Sequence, residues 1–499
     1  MTDILLAAAA GPGDLCAALR AGRRGGTGPC RVAVLDPTHR RIEQALALID
    51  RGEPWQGGND LWFAPRPAPP GGTVFLFPGL DARTGPPPDD VLRWLGRPAG
   101  PASGSTGLAE RTRATLRLNR VLHAALLRAG IVPDAMAGHS AGEWSALFAA
   151  GLFAEPAFED FARTMGAAPV PDVVFAAVGL PAEAAARLAR DEPGVVLSHD
   201  NAPDQSVLCG DEDAVGRCLA RIADPEVPRR VLPFRSGFHS PMLAPYLPGF
   251  SAVFDRVPLA RPSVPVWSAT TVAPYPDDET ELRALLNRHL VEPVRFRAVI
   301  ERLYRGGARV FVQVGCGSLT RFVAATLAGR PHRTVSAGSA TRPQLDQLRW
   351  AAAALWAEGH APDLPALGLT TPAATPPPST GPAPSTGPAP STGPAPSHGP
   401  ASGIGPAPST GPAPSHGPAS GIGPAPSTGP APSHGPASGI GPAPSTGPAP
   451  SHGPASGIGL APSPGPAPST HPVAGAYEAA VAAVSASVET VYRTWRERT

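Results

Sequence analysis

Residues 138–142 have the sequence GHSAG, and Glu143 follows them directly. Upstream, Pro133 leads into a short apolar run, and the residues after Glu143 are again largely apolar, as in a buried helix. A strand, a sharp turn and a helix in this order form a nucleophile elbow, which exposes a serine and directs free helix N–H groups towards it. The pattern therefore predicts that Ser140 is a nucleophile, in a lipase, an esterase or an acyltransferase.

Composition limits the class of protein. The 499 residues include 68 prolines and 56 glycines, so much of the length is not expected to pack. A net charge of +1 gives no field to attract nucleic acid or an anionic membrane. Residues 4–10 follow Asp3 and resemble neither a signal peptide nor a membrane span, so we expect a cytoplasmic protein. Five cysteines without CxxC spacing indicate reduced structural thiols, not disulfides or a zinc site.

Two folded regions are predicted before the unusual tail. Residues 1–70 alternate helix and strand and indicate a small α/β lead-in; residues 71–357 begin with an apolar strand and contain Ser140. Within them, residues 168–236 follow the order strand, helix, hairpin, helix, strand, which is typical of a ferredoxin-like unit. We therefore expect an α/β fold: an α/β-hydrolase-like core with a parallel sheet, an inserted ferredoxin-like subdomain, and a cleft between the two.

The tail has a different composition. Residues 364–472 contain no Asp, Glu, Lys or Arg, and an 18-residue unit, STGPAPSHGPASGIGPAP, recurs from Ser391 onwards. Such a segment is predicted to be a disordered linker with a polyproline II bias. One histidine recurs in each unit and follows from the duplication, so no metal site is expected there; these histidines are His398, His416, His434 and His452.

Residues 473–499 are predicted to form an amphipathic helix. Apolar side chains recur at spacings of three and four residues from Tyr477 to Trp495, which is the period of a coiled-coil seam. The stripe favours docking to a partner helix, and packing against the catalytic body is the alternative.

Four motifs, taken in order, resemble the acyltransferase domains of polyketide and fatty acid synthases, the malonyl-CoA:acyl carrier protein transacylase family. They are FLFPG at residues 75–79, GHSAGE at 138–143, GFHSP at 237–241 and VGCG at 314–317. The resemblance covers about residues 70–345. It implies that Ser140 attacks an acyl-coenzyme A thioester, with no bound cofactor, and that His239 moves the proton. It also implies an acyl carrier protein as the partner that receives the acyl group on its phosphopantetheine thiol.

The resemblance assigns further candidate residues. The backbone N–H groups of Leu80 and Ala141 would bind the oxyanion, although the family usually has Gln where Leu80 stands. His289 falls where the family carries a residue that supports the catalytic histidine, and it equally fits a helix end. Asn201 matches a family loop at the cleft and equally fits an Asx turn.

Two indications about the acyl group conflict. Malonyl-type members grip the free carboxylate with the arginine of an Arg-Gly-x-x-Met segment after the serine helix. Here that segment is altered, because Arg163 aligns better with an earlier helical arginine. Phe238, however, matches the bulky residue that accompanies malonyl in synthase members. Arg163 and Phe238 are thus substrate-binding candidates; malonyl is the preferred expectation, and an uncharged acyl group is the alternative.

Two other functions are open. A serine esterase would need Asp or Glu between the serine and the histidine in chain order, and the insertion at residues 168–236 disfavours it. A degenerate acyltransferase domain used as a docking scaffold would explain Leu80 and the altered arginine segment, but Ser140 and His239 are both present. The sequence favours a discrete acyl-coenzyme A:acyl carrier protein acyltransferase that a polyketide or fatty acid synthase component binds through the C-terminal helix.

Deleting residues 473–499 is expected to abolish association with that component, because the predicted seam is removed. Turnover of free acyl-coenzyme A with a free carrier protein should be unchanged. Co-sedimentation and turnover assays measure the two properties separately, and unchanged association would refute docking through this helix.

Overall fold

The computed structural model describes residues 2–67, 69–80, 85–99 and 107–370. The predicted linker beyond residue 370 and the predicted helix at residues 473–499 lie outside the described residues.

The amino-terminal part is a small sheet with two helices. Its elements are β1 (Thr2–Ala9), α1 (Pro12–Arg20), β2 (Cys30–Leu35), α2 (His39–Arg51), β3 (Trp55–Gln56) and β4 (Leu61–Ala64). β1 pairs with β2, β2 with β4 and β4 with β3, all antiparallel. Side chains of β2 alternate between two faces, and Val32 and Val34 pack with Leu15 and Leu48 of the helices. The described elements alternate strand and helix, as expected for the lead-in, and its extent over residues 1–70 stays a prediction.

The remaining elements follow in chain order: β5 (Gly72–Phe77), α3 (Asp89–Trp94), α4 (Leu108–Arg128), β6 (Ala135–Gly138), α5 (Ala141–Ala149), α6 (Phe158–Ala167), β7 (Val174–Val178), α7 (Ala182–Arg190), β8 (Val195–Ala202), β9 (Gln205–Gly210), α8 (Glu212–Ala220), β10 (Arg229–Arg235), α9 (Leu247–Phe254), β11 (Val266–Ser268), β12 (Ala273–Pro274), α10 (Glu279–Val291), α11 (Phe296–Arg305), β13 (Ala308–Gln313), α12 (Leu319–Thr326), β14 (Arg333–Ser336), α13 (Gln344–Ala357) and β15 (Leu369–Thr370).

Six strands form the central sheet in the order β12-β11-β6-β5-β13-β14. All neighbours pair in parallel except β11 and β12, which are antiparallel. β5 is almost wholly apolar because core packs against both faces: Phe75 and Phe77 belong to one core cluster, Val74 and Leu76 to another. The predicted α/β class with a mostly parallel sheet is confirmed.

A second, antiparallel sheet lies between α6 and α9 in the chain, with strand order β10-β7-β9-β8. Its elements run strand, helix, strand, strand, helix, strand, which is the order predicted for residues 168–236. α7 and α8 cover one face of this small sheet and bury Leu208 and Val215. The other face carries Phe175 and Val207 and is free of helices from this subdomain.

The described body extends further than the sequence predicts. Leu364, Leu367 and Leu369 are buried, and β15 pairs in parallel with β1. Trp350 of α13 also packs edge-on against Trp62 of β4, with ring centroids 5.0 Å apart. The described body therefore continues past the predicted domain end at residue 357 and the predicted linker start at residue 364, as far as β15. Loss of charged residues cannot distinguish a packed apolar segment from a linker, so composition placed the boundary too early.

None of the described helices combines the length and the apolar run needed to cross a membrane. The five cysteines are buried free thiols. Burial raises the pKa of the Cys16 thiol to about 11 and that of the Cys209 thiol to about 12. These thiols stay protonated at neutral pH and are poor nucleophiles, in keeping with the predicted structural role.

His123 of α4 should make the stability of the protein depend on pH. Its ring lies 6.2 Å from that of Phe75 and 6.0 Å from that of Phe77, and its Nε2 has no hydrogen-bond partner. Burial lowers the pKa of His123 to about 4, whereas a histidine in an unfolded chain has a pKa of about 6.5. As pH falls from about 6.5 to about 4, protons bind the unfolded state preferentially and the free energy of unfolding decreases.

We expect His123→Leu to unfold at a higher urea concentration than the wild type at pH 5, with a smaller advantage at pH 8. The exposed His39→Leu is the control for replacing a histidine that is not buried. Equal midpoints for wild type and His123→Leu at pH 5 would contradict the assignment.

Candidate active site

Ser140 stands at the turn between β6 and α5, with φ 55° and ψ −127°. Two glycines allow this turn: a Cβ on Gly138 would lie 2.1 Å from the backbone N of Glu143, and one on Gly142 would lie 1.9 Å from the carbonyl O of Phe77. A serine at positive φ is strained and persists only where the surrounding structure holds it. The strand, turn and helix predicted around Ser140 are present.

His239 lies against this serine. The distance from Ser140 Oγ to His239 Nε2 is 2.8 Å, and His239 Nδ1 lies 2.8 Å from the main-chain O of His289. A carbonyl oxygen only accepts, so Nδ1 carries the ring proton and Nε2 accepts from the serine hydroxyl. The pair therefore has the geometry in which a base removes a proton from a nucleophile.

The surroundings keep His239 neutral. The residue is 3% exposed, and burial lowers its pKa well below the usual 6.5, assisted by the neighbouring His289 and His199. The hydrogen bond to the His289 backbone acts in the opposite direction and is outweighed. A neutral imidazole can accept a proton at neutral pH and below it.

A buried acid and a second histidine lie beneath the elbow. His289 Nδ1 is 3.4 Å from Glu143 Oε2, and its Nε2 is 3.3 Å from the main-chain O of Ser140. The Tyr275 hydroxyl donates to Glu143 at 2.5 Å. The sequence predicts that His289 supports His239; the direct contact is made by its main-chain oxygen, while its side chain supports the elbow.

The predicted oxyanion donors lie beside the nucleophile. The loop before Leu80 is pressed against the elbow, since a Cβ on Gly79 would lie 2.4 Å from the carbonyl O of His139. Ala141 is the first residue of α5, so its N–H has no partner within the helix. Leu80 and Ala141 both line a cavity with Ser140. Their role as donors stays a prediction.

Two cavities meet at Leu80, Ser140, Phe238 and His239. The first, the inner pocket, is further lined by Leu108, Thr112, Ala141, Trp144, Met165, Ala168, Val170, His289 and Leu290. The second, the outer cleft, lies between the central and small sheets and is further lined by Pro78, Gly79, His139, Phe175, Ala177, His199, Asn201, Gln205, Val207, Arg230, Leu232, Phe234, Ser236, Ser318, Leu319 and Phe322. The serine thus separates a mainly apolar pocket from a more open and more polar cleft.

The two substrate-binding candidates Phe238 and Asn201 lie at these cavities. Phe238 lines both. Asn201 lines the outer cleft, where its Oδ1 is 2.6 Å from His139 Nε2 and its Nδ2 donates to Gln205 at 2.6 Å. The Asn201 amide therefore holds the side chain of His139, the residue before Ser140, in place.

Arg163, another of the substrate-binding candidates, which also include His289, lies elsewhere. Its side chain is 65% exposed and pairs with Asp160 in the same helix, and it lines neither cavity. The residue of α6 that lines the inner pocket is Met165, which is 4% exposed. The placement of Arg163 contradicts its predicted role. Arg163 and Met165 are two positions apart in α6, so their side chains point in directions about 200° apart, and only Met165 faces the pocket.

Sequence reasoning missed His199. Its ring is 8% exposed and stacks on that of His139 at 5.2 Å, and its centroid lies 5.0 Å from that of His239. β8 runs from Val195 to Ala202 and carries His199 into the site, whereas the sequence predicts only the order of the elements in residues 168–236. In the described part of the chain, no group of three His, Cys, Asp or Glu side chains is placed to hold a metal ion.

Trp144, Met165 and Glu143 were also missed. Each lies on a helix flanking the elbow, and their apolar or acidic character gave no indication of which face would be turned inward. Only Glu143 carried a usable signal, its position directly after the GHSAG sequence.

Comparisons with known proteins point to one family. The model of the acyl transferase domain matches residues 114–354. A malonyl CoA-acyl carrier protein transacylase of Synechocystis sp. is 30% identical over 227 residues, which cover 43% of this chain and 74% of the relative. Polyketide synthase GfsA of Streptomyces halstedii is 31% identical over 289 residues, 56% of this chain. The chain spans only 4% of GfsA, and 8% and 18% of two further relatives.

Solved structures with a similar fold are also acyltransferase domains. The acyltransferase domain of the iterative polyketide synthase in enediyne biosynthesis aligns with a TM-score of 0.55 and 25% identity, over 72% of this chain and 96% of that domain. The acyltransferase domain from module 8 of the salinomycin polyketide synthase has a TM-score of 0.60 at 19% identity, over 73% of this chain and 98% of that domain. The architecture is that of an acyltransferase domain.

The lowered pKa of His239 leads to a testable pH dependence. Ser140 reacts only while His239 is unprotonated, so labelling by an alkyl fluorophosphonate should stay fast from pH 8 to well below pH 6.5, the ordinary pKa of histidine. Intact mass after timed labelling gives the rate at each pH, with Ser140→Ala as the unlabelled control. An inflection at or above pH 6.5 would contradict the buried, neutral imidazole.

Proposed function

Since the chain belongs to the acyltransferase-domain family that includes the malonyl CoA-acyl carrier protein transacylases, we propose that it moves an acyl group from coenzyme A to an acyl carrier protein through an acyl-Ser140 intermediate. The pathway would be polyketide or fatty acid biosynthesis. The observation that carries the proposal is the 2.8 Å contact between Ser140 Oγ and His239 Nε2 at a strained elbow, where two cavities meet.

In the first half-reaction, Ser140 Oγ attacks the thioester carbonyl of acyl-coenzyme A while His239 Nε2 takes the hydroxyl proton. The oxyanion that forms would accept hydrogen bonds from the N–H groups of Leu80 and Ala141. The carbon–sulfur bond then breaks, the thiolate takes the proton from His239, and coenzyme A leaves as the thiol. The acyl group remains on Ser140 as an ester.

In the second half-reaction, the phosphopantetheine thiol of the carrier protein gives its proton to His239 and attacks the ester carbonyl. The ester bond breaks, and Ser140 Oγ recovers the proton from His239. Both halves use the same base and the same oxyanion donors, so one site serves two thiols in turn. The main-chain O of His289 holds the His239 ring in the required tautomer throughout.

The outer cleft suits the incoming thiol arm. A phosphopantetheine arm is long and carries amides, and this cleft offers the polar side chains of His199, Asn201 and Gln205 on one strand pair. The small sheet, which we propose to be a ferredoxin-like subdomain, forms the opposite wall with Phe175 and Phe234. The coenzyme A arm would use the same route, since it carries the same pantetheine group.

The site favours transfer over the alternatives from the sequence. A serine esterase places a carboxylate on the second ring nitrogen of its histidine, whereas here that nitrogen faces a backbone carbonyl. A docking scaffold would have no need of an aligned serine and a buried neutral histidine. Recruitment to a synthase component through residues 473–499 is part of the proposal.

The proposal predicts an acyl-enzyme that can be weighed. Wild type incubated briefly with a panel of acyl-coenzyme A thioesters should gain the mass of an acyl group, and Ser140→Ala should gain none. His239→Ala should load about 100-fold to 10,000-fold more slowly, the usual contribution of a general base. A holo acyl carrier protein added afterwards should remove the adduct and appear acylated.

An adduct on Ser140→Ala, or no adduct on folded wild type with any thioester, would contradict the proposed reaction. Loss of the adduct to water at the same rate with or without the carrier protein would indicate a hydrolase.

A further inference from the structure

We infer that the inner pocket accepts an uncharged acyl group and excludes one that carries a free carboxylate, such as malonyl. This inference rests on the proposed function and specifies its substrate class. It reverses the expectation that the bulk of Phe238 suggested.

The position of the two cavities assigns the inner pocket to the acyl group. Both reach Ser140, but the outer cleft is lined by polar side chains and by the small sheet, as a pantetheine arm requires. The inner pocket lies on the other side of Phe238 and His239 and is closed by side chains of α4, α5 and α6. With the thiol arm in the cleft, the acyl carbon skeleton on Ser140 points into the inner pocket.

The described lining of the inner pocket contains no lysine or arginine. Two of its polar side chains are already engaged: the Thr112 hydroxyl donates to the main-chain O of Leu108 at 2.9 Å, and His289 faces Glu143 and the Ser140 backbone. Leu80, Met165 and Leu290 supply apolar surface. A carboxylate placed here would lose its hydration without gaining an opposite charge, which is costly for a buried ion.

One donor on this lining is unpaired. Trp144 is 4% exposed and its Nε1–H has no hydrogen-bond partner. A single neutral N–H can bind an uncharged oxygen of an acyl group, but it does not replace the charge that a carboxylate needs. This indole is therefore compatible with a neutral acyl group.

One nearby cation could oppose the inference. Arg111 precedes Thr112 in α4 and does not line the inner pocket, yet its Nη1 is buried and has no hydrogen-bond partner. If this guanidinium turned inward on binding, it would hold a carboxylate. Arg83 is a second cation to consider, and it lies outside the described residues. Substitution of each arginine, described below, tests whether it binds a carboxylate.

The test measures the rate of acyl-Ser140 formation with acetyl-, propionyl-, butyryl- and malonyl-coenzyme A by intact mass. On the full-length wild type we expect kcat/KM for the best uncharged thioester to exceed that for malonyl by at least about 100-fold, the effect of a buried unpaired charge. Met165→Arg places a cation on the lining and should narrow or reverse this ratio. Met165→Gln, similar in length but neutral, is the matched control and should not.

The outcomes separate the two proposals. Malonyl loading as fast as, or faster than, loading of the uncharged thioesters would overturn the inference but not the proposed acyltransferase function. Loss of malonyl loading in Arg111→Gln or Arg83→Gln would then identify the arginine that binds the carboxylate. No adduct with any thioester would overturn the proposed function and the inference together. If Met165→Arg does not fold, judged by its thermal unfolding, the wild-type ratio decides alone.

Discussion

The site depends on one backbone contact. α5 begins so close to the end of β5 that Gly142 leaves no room for a Cβ beneath the carbonyl of Phe77. Because two main chains meet there, the elbow cannot relax, and Ser140 is held at a positive φ that it would not otherwise adopt. The same contact fixes the loop after β5, and with it Leu80, beside the nucleophile.

The base is held by main-chain atoms on both sides. The backbone N of His239 donates to the carbonyl of Leu290 at 2.6 Å, and its Nδ1 donates to the carbonyl of His289. The end of α10 thus orients the imidazole through two carbonyl groups, with Nε2 facing Ser140 Oγ. This leaves the His289 ring free to join Glu143 beneath the elbow, so one residue connects the base, the acid and the strained turn.

The features that could be predicted from the sequence are those that a few neighbouring residues determine. The elbow could be predicted because GHSAG satisfies a steric requirement within a few residues, and the small sheet because its strands and helices alternate regularly. The prediction that Arg163 binds the substrate was wrong, because tertiary packing determines which side of α6 faces the inner pocket. Met165 lies on that side. The pairing of β15 with β1 could not be predicted either, since it joins residues more than 360 positions apart.

That pairing also joins the beginning and the end of the described residues in one sheet. β15, the last described strand, pairs with β1, the first strand of the lead-in. The buried Leu364 and Leu367 hold the segment between α13 and β15 against the body. The sheet that carries the elbow is a separate one. A disturbance of the β1–β15 edge therefore meets the sheet of the lead-in before it meets the strands that position Ser140.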